Sequence, residues 1–489
     1  MGITPRLEKD KGMEKKSKCQ VREITRRKIF PLAIISLFLN PIVSNAEPTD
    51  YGVIVDLGII RTDNVFLSAK NLEQSETVYT ITPEFFLTKD SERLNANLRY
   101  RPEAYFYSEF DVADGVFHAL DASLTAMLAK DRFFLDLSAV NFQSIITPDG
   151  HFPTSNLPIT GNRIDTSTFE ASPYWQQRIG QAGLLAKVGY RAAEYDSDLY
   201  QSNKELYGLL QLNNIENQQG LAWGLDYQYR RMEYDDSTPW EFQRASVDLG
   251  VWVNSGTRIF AVGGAETSFD DLYTPNMDED FWEAGFQYKP SQRMNLELAA
   301  GERSYGTSFR GDFSYTLKRG YISLTYDEGP TTRADAVFDQ RPITSSDNLD
   351  NILDQPGQSD RFIRRRAEFQ LNIELSKSDL TLRVFAEERE QRTTADGDPL
   401  EDEGYSGVAL RWNWSLGTNT TLGLGTDISE RDQSGRKDEM LRAYADLAYD
   451  FSNRLSVRLE GVHSSQDGVE SDDYDYDENQ VRLILRTEF

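Results

Sequence analysis

A two-residue alternation of apolar and polar side chains runs along the chain from Tyr51 to Phe489, and it restricts the fold to β structure. The alternating segments are about ten residues long and are separated by turn-forming residues. Between residues 293 and 303, for example, Met294 and Leu296 alternate with Asn295. Such segments are typical of membrane-spanning β-barrels, although the strands of a soluble β-sandwich also alternate. The pattern therefore predicts an all-β protein and leaves these two architectures open.

The connections between the segments favour the barrel. Short turns such as Lys130-Asp131 and Lys318-Arg319 alternate with longer, more polar connections such as residues 147–163 and 329–360. Outer-membrane barrels combine short periplasmic turns with long extracellular loops. The count of hairpins predicts one transmembrane antiparallel β-barrel of the outer-membrane type over residues 47–489, with about 22 strands and a range of about 18–24.

Residues 1–46 have the features of a secretory signal peptide. Basic residues at 26–28 precede an apolar run at 32–39, and Ser44-Asn45-Ala46 supplies the small residues that a signal peptidase reads. The apolar run is shorter than the roughly 20 residues that a membrane-spanning helix needs. We therefore expect an exported protein, integral to the outer membrane of a Gram-negative bacterium.

Composition excludes several functional classes. Lys and Arg number 52 against 79 Asp and Glu, and this net charge of −27 argues against nucleic acid as a partner. The single Cys19 excludes a disulfide framework and a cysteine-rich zinc site, and three histidines leave little for a histidine-rich metal site. No nucleophile elbow, phosphate loop or metal-ligand cluster is present. We predict no enzyme activity, no cofactor and no metal.

The end of the chain carries a second barrel feature. Phe489 is preceded at alternate positions by Leu485 and Leu483. This resembles the last strand of bacterial outer-membrane proteins, whose terminal aromatic residue is read by the barrel-assembly machinery. Aromatic residues near segment ends are candidates for the girdles at the two membrane interfaces: Tyr105, Phe106, Tyr107, Tyr174, Trp175, Tyr227, Tyr229, Trp252, Trp282, Trp412 and Trp414.

The first part of the mature chain resembles a known family. The motifs are Arg61-Thr62-Asp63-Asn64-Val65-Phe66, then Ile81 to Leu87, then Leu94 to Tyr107. Over residues 51–110 they resemble the start of the β-barrel porin 2 family of outer-membrane proteins, which is often encoded with exopolysaccharide synthesis and export genes. The resemblance implies a pore or an accessory protein of polysaccharide export, with polysaccharide and periplasmic export proteins as partners beside the membrane lipids and the assembly machinery.

Function is expected in the lumen, where charged residues of both signs fall on the polar phase of the strands. The lumen-lining candidates are Arg99, Arg101, Glu297, Arg303, Arg364, Arg366, Glu368, Glu374, Arg383, Glu387, Arg389, Arg458, Glu460, Arg482 and Arg486. Two interpretations stay open. The residues pair across neighbouring strands and stabilise the wall, or their arginines line a path for an anionic or hydroxyl-rich polymer.

These observations lead to one functional hypothesis and two alternatives. The hypothesis is an outer-membrane pore or accessory protein for exopolysaccharide export with an Arg- and Glu-lined lumen. The alternatives are a general porin for small hydrophilic solutes and a structural barrel without an open channel. Residues 329–360 form the longest connection, and we expect it to fold inward as a constriction or lid, because long loops in compact domains are often functional.

Overall fold

The computed structural model describes residues 49–146, 150–196, 200–214, 219–235, 239–268, 277–339, 361–391, 402–433, 436–468 and 474–489. The predicted signal peptide and the second part of the 329–360 loop lie outside these residues. The described chain forms twenty-two strands: β1 Thr49–Thr62, β2 Glu76–Asp90, β3 Leu94–Tyr107, β4 Gly115–Ala129, β5 Phe133–Ile145, β6 Arg163–Ile179, β7 Ala182–Tyr195, β8 Asn203–Asn213, β9 Gly220–Tyr234, β10 Trp240–Asn254, β11 Thr257–Glu266, β12 Glu279–Ser291, β13 Met294–Arg303, β14 Gly306–Leu317, β15 Gly320–Thr332, β16 Arg361–Glu374, β17 Ser378–Gln391, β18 Glu403–Ser415, β19 Thr420–Gln433, β20 Arg436–Ser452, β21 Leu455–Gly468 and β22 Tyr476–Glu488.

The strands close into one antiparallel barrel. Each strand pairs with the next along the chain, and β22 pairs with β1, with Ile54 opposite Glu488 and Thr62 opposite Gln480. Backbone hydrogen bonds between Val53 and Phe489 extend this last pairing. Closure leaves no free sheet edge, as a structure surrounded by lipid requires. The predicted all-β, 22-stranded barrel of the outer-membrane type is confirmed.

Side chains alternate between two very different surfaces of the wall. Leu249, Ile259, Leu459 and Leu483 are exposed on the outside although they are large and apolar. Their neighbours in sequence, such as Arg258, point to the inside and carry polar groups. An apolar belt around a closed barrel is stable only in lipid, because in water it would expose this surface. The protein is therefore an integral outer-membrane protein, as predicted.

The two ends of the barrel differ in their connections. The turns at the periplasmic end are short, as predicted; β10 and β11, for example, are joined by residues 255–256 and β14 and β15 by 318–319. The opposite end carries the long connections, with two exceptions that the sequence pattern did not indicate, since β13–β14 and β19–β20 are each joined by two residues. There β13 and β14 are joined only by Ser304 and Tyr305, because Gly306 adopts a φ of 115° that permits so tight a turn.

Some of the aromatic girdle candidates face inward instead. Trp412 and Trp414 are exposed on the outer surface and stack at 5.6 Å, which fits an interface girdle. Phe106 is also exposed, but Tyr105 and Tyr107 on either side of it are buried in the interior. Three consecutive aromatic residues cannot share one face of a strand, since successive side chains point to opposite faces. Among the described residues, no helix has the length and apolar character needed to cross a membrane.

The only α-helix in the described part of the chain is α1, Arg333–Asp339, which follows β15 directly. A 3₁₀ turn at Asp111–Ala113 precedes β4. Apolar side chains at the extracellular end of the barrel form clusters with α1 and with residues 150–162 of the β5–β6 connection. These two segments lie inside the barrel and define the candidate site.

Candidate functional site

The strand registers place the fifteen lumen-lining candidates on the face opposite the exposed apolar belt. Glu297 and Arg303, for example, alternate with the exposed Leu298 on β13, and Arg482 and Arg486 alternate with the exposed Leu483 and Leu485 on β22. Phe489 continues that outer phase and is exposed. The geometry therefore locates these charges on the inner wall, and their part in passing a solute stays a prediction.

The inner wall of β16–β18 carries a continuous ladder of ion pairs. Glu368 contacts Arg366 at 3.0 Å and Arg383 at 2.9 Å. Arg366 in turn contacts Glu387 at 2.8 Å, and Glu387 contacts Arg389 at 2.7 Å. The Arg366–Glu387 and Arg383–Glu368 contacts join β16 to β17, whereas the other two contacts lie within one strand. The alternation of opposite charges stabilises the wall.

The other predicted charges also lie close to oppositely charged partners or in polar positions on the inner wall. Arg486 forms two bonds of 2.8 Å with Asp56 across the β1–β22 junction. The remaining contacts are Arg101–Glu103 at 3.4 Å, Arg303–Glu266 at 2.6 Å, Glu297–Arg310 at 3.1 Å, Arg364–Asp327 at 3.4 Å, Arg458–Asp446 at 3.9 Å and Arg482–Glu460 at 3.7 Å. Arg99 lies opposite Asp121, and Glu374 lies opposite Asp379 near the periplasmic end. Ion pairing across strands, the first of the two interpretations, thus describes most of these residues.

Residues 150–162 of the β5–β6 connection fold against the opposite part of the wall. Phe152 is buried against Phe385, Tyr405 and Met440 of β17, β18 and β20. Its backbone N–H donates to Gln466 Oε1 at 3.0 Å, and its carbonyl accepts from the Tyr476 hydroxyl at 2.9 Å.

Further along the same segment, Leu157 is fully buried among apolar side chains of β1–β3, and its carbonyl accepts from the Tyr107 hydroxyl at 2.6 Å. The backbone N–H of Ile159 donates to Val65 at 2.8 Å. The segment thus occupies the interior of the barrel over several strands.

Helix α1 occupies the interior next to β5–β10. Ala334, Val337 and Phe338 are buried in one cluster with apolar side chains of β5, β6, β7, β9 and β10. The ring of Phe338 lies 4.3 Å from the Arg191 guanidinium carbon. The helix therefore packs against the wall through an apolar face.

A four-residue charge cluster fixes the polar side of the same contact. The Asp335 carboxylate accepts from Arg191 at 2.8 Å and from Arg230. Glu205 lies between the same two arginines and contacts Arg230 at 2.7 Å. Two arginines and two carboxylates balance each other, so a largely buried cluster is stable without a counterion. We call Arg191, Glu205, Arg230 and Asp335 the latch cluster.

The pKa of Asp335 reflects these partners. Burial by itself raises the pKa of this carboxyl, but the guanidinium groups of Arg230 and Arg191, with hydrogen bonds from Thr331 and Thr332, more than offset burial and hold the pKa below its usual value. Asp335 is therefore ionised at neutral pH, and its charge is the one that α1 contributes to the cluster.

The start of α1 is also held from the other side of the barrel. Arg333 forms an ion pair with Glu403 of β18, and Glu403 lies 4.0 Å from Arg389 at the end of the β16–β18 ladder. In a ring of 22 strands, β18 lies nine to eleven strands from β7–β9. One short helix thus connects two nearly opposite walls.

Sequence reasoning missed the latch cluster, although part of its signal is present. Arg191, Glu205 and Arg230 lie on the polar phase of their strands, as the predicted lumen residues do. Thr332 and Asp335 form a reciprocal cap, in which each backbone N–H donates to the other side chain at 3.2 Å. A Thr-x-x-Asp spacing is a helix-start signal. It could have located α1 within the loop, but not its partners on distant strands.

Among the described residues, no group of three or more His, Cys, Asp or Glu side chains is arranged to hold a metal ion. His118 faces outward, where its ring stacks on Tyr100 and its Nδ1 lies 2.8 Å from the Tyr100 hydroxyl. His463 is bonded to Asn479 at 3.0 Å on an exposed surface. The chemistry that this interior offers is polar and ionic contact.

Comparisons with known proteins identify no family for this chain. No family model matches the chain, and no curated protein matches it. Among solved structures, the siderophore receptor PirA from Pseudomonas aeruginosa is similar over 91% of this chain and 82% of its own, with 10% identity and a TM-score of 0.45. The ferric-catecholate import receptor Fiu from Escherichia coli K12 is similar over 91% of this chain and 83% of its own, with 9% identity and a TM-score of 0.40.

Likenesses at this level carry no argument about the fold or the ligand of this chain. The resemblance of residues 51–110 to the β-barrel porin 2 family finds support only at the coarser level, an outer-membrane β-barrel. Its link to exopolysaccharide export is not supported by these comparisons and belongs to the proposal below.

Proposed function

We propose that this protein is a gated outer-membrane channel for hydrophilic, hydroxyl-rich molecules, with an exported oligo- or polysaccharide as its cargo. The observation that carries the proposal is the position of α1, which connects opposite walls of a polar lumen by side-chain ion pairs and apolar contacts. Such contacts break without disturbing the hydrogen-bonded ladder of the barrel.

The lining of the lumen supports a polar cargo. Paired Arg and Glu side chains present many hydrogen-bond donors and acceptors with little net charge, and pores select by such groups together with their diameter. Aromatic side chains such as Tyr207 and Tyr444 also lie on the inner wall beside arginines. This mixture suits sugar rings, which offer hydroxyl groups at their edges and apolar faces.

The choice of a polysaccharide rests on the sequence resemblance. The motifs between residues 61 and 107 resemble a family that is often encoded beside exopolysaccharide genes. Export would require periplasmic partner proteins, which we propose with the cargo. The general small-solute porin and the closed structural barrel are the alternatives that the experiment must separate.

The test is planar-bilayer conductance of the refolded mature chain and of a variant in which residues 333–339 are replaced by a Gly-Ser linker of equal length. We expect rare or small openings from the wild type and larger, longer steps from the variant. Arg365→Gln is the matched control, because Arg365 pairs with Glu390 on the outer face at the same end of the barrel and should leave conductance unchanged.

Oligosaccharides added to one side then test the cargo. Block of the open variant by neutral and acidic oligosaccharides supports a saccharide channel. Conductance that no oligosaccharide blocks refutes the cargo and favours a small-solute porin. Absence of conductance in both proteins refutes the channel and favours a structural barrel.

A further inference from the structure

A recess in the inner wall lies directly beside the latch cluster. Its volume is about 390 Å³, within the range of small-molecule sites. It is lined by inward side chains of β7–β9 that include Lys187, Arg191, Glu205, Tyr207, Gln228 and Arg230. The two arginines that hold Asp335 of α1 therefore also form part of the wall of an open recess.

The charges of the recess change when α1 leaves. With Asp335 in place, the latch cluster contains two positive and two negative groups. Without it, Glu205 is the one carboxylate of the latch cluster left to bond Arg191 and Arg230, because Glu170, which lies opposite Arg191 and also lines the recess, accepts from Ser172 and Tyr207. Two guanidinium groups bind a carboxylate through charge-assisted hydrogen bonds, so the vacated position favours another carboxylate.

The other side chains of the recess favour a hydroxylated ligand. Lys187 lies 3.4 Å from Asp136 and 5.7 Å from the centre of the Tyr174 ring, and Tyr207 donates its hydroxyl to Glu170. Gln228 is held by Asp226 at 3.0 Å. Amide, ammonium and phenol groups around an arginine pair can bind the hydroxyl groups of a sugar ring whose carboxylate the arginines hold.

We propose that this recess binds an acidic sugar, one with a carboxylate on a hydroxylated ring, and that the sugar carboxylate takes the place of Asp335 between Arg191 and Arg230. Binding of the sugar and release of α1 are then a single event, in which the sugar carboxylate replaces the Asp335 carboxylate. The proposal deepens the proposed function and rests on it, because it names the cargo class and the event that opens the lumen.

The test is isothermal titration calorimetry of the refolded full chain in detergent with trigalacturonate, with maltotriose and inorganic phosphate as comparison probes. Because calorimetry needs no open channel, its result is independent of the conductance test of the proposed function. We expect Asp335→Asn to bind trigalacturonate about tenfold more tightly than the wild type, since the competing carboxylate is removed. Asp335→Glu, which keeps the charge, should stay close to the wild type.

A second variant tests the arginines without leaving a buried charge. Glu205→Gln combined with Arg230→Gln is charge-balanced, and we expect it to lose at least tenfold in affinity for trigalacturonate while it still migrates as a folded barrel. Equal affinities in the wild type and Asp335→Asn would overturn the exchange. Binding of maltotriose or phosphate as tight as that of trigalacturonate would overturn the assignment of an acidic sugar as the ligand. Absence of conductance together with intact binding of trigalacturonate would refute the channel and leave this recess as a receptor site in a closed barrel.

Discussion

The ion pair between Glu266 and Arg303 offers the sharpest quantitative test of the inner wall. The Glu266 carboxylate accepts from Arg303 Nε at 3.0 Å, from Arg303 Nη2 at 2.6 Å and from the Ser304 backbone N–H at 2.9 Å. The exposed fraction of the side chain is 0% for Glu266 and 6% for Arg303. Glu266→Gln leaves the Arg303 guanidinium buried without its main partner.

The magnitude follows from this burial. Breaking a buried ion pair from one side costs about 3–5 kcal/mol, because the remaining charge loses its compensation. Glu283 lies 3.5 Å from Arg303 Nη1 and supplies part of that compensation. We therefore expect Glu266→Gln to lower the free energy of unfolding by about 3 kcal/mol, at the lower end of that range.

The matched control is Glu297→Gln on the same wall. Glu297 pairs with Arg310 at 3.1 Å, but the side chains are 23% and 47% exposed. An ion pair in contact with water contributes at most about 1 kcal/mol. Replacing both Glu266 and Arg303 by Met should cost less than Glu266→Gln, since no charge is left unpaired.

The assay is urea unfolding of the barrel refolded into lipid vesicles, followed by tryptophan fluorescence. Equal losses for Glu266→Gln and Glu297→Gln would refute the burial argument. A double Met variant as unstable as the single Gln variant would show that packing, rather than the unpaired charge, sets the cost.

Three further predictions concern the lipid face, a turn and a loop. Leu459→Arg should lower the free energy of unfolding by about 2–3 kcal/mol, because Leu459 faces lipid. Ser456→Arg, on the inner face of the same strand, should change that free energy by under about 1 kcal/mol. Urea unfolding in vesicles compares the two variants. Gly306→Ala should lower the free energy of unfolding by about 1–2 kcal/mol, because a φ of 115° is strained for alanine. The loop variant Gly417→Ala, in which the added methyl group meets no atom, should leave that free energy unchanged in the same assay. Burial, and secondly the charge of Arg436, lower the pKa of His151 in the folded protein below its ordinary value of 6.5. The stability that neutral His151 contributes is therefore fully present above pH 6.5 and is lost as the pH falls through the lower pKa of the folded state. Hydrogen exchange of residues 150–162 should therefore accelerate between pH 7 and pH 5, after correction for intrinsic rates, and His151→Phe should remove this acceleration.

Much of the barrel was predictable because a strand has a period of two. Once the alternation assigns Leu298 to lipid, Glu297 and Arg303 must face the interior, and the short turns then set the number of strands. The same rule corrects the girdle assignment, since Tyr105 and Tyr107 must oppose Phe106. The local sequence pattern is sufficient to predict features that depend only on the neighbouring residues of a strand.

The interior contacts were not predictable in this way. Asp335 meets Arg191 across a sequence separation of 144 residues and Arg230 across 105, and Phe152 meets Gln466 across 314. Such contacts depend on the path of a connecting segment through the lumen, for which the sequence has no periodic pattern. The expectation that residues 329–360 fold inward as a constriction or lid stays a prediction, and residues 340–360 lie outside the described residues.

Asp335 both caps α1 and docks it, and this dual role has a thermodynamic consequence. One carboxylate oxygen accepts from Thr331 and Thr332, and the other accepts from the arginines of the wall. A helix of seven residues is unstable alone in water, so once its cap and its wall contacts are lost together the segment unwinds. Each freed residue then regains about 1–2 kcal/mol of conformational entropy, which offsets the broken contacts. Release of α1 from the wall is in these terms a local melting transition, and warming shifts it toward the released state.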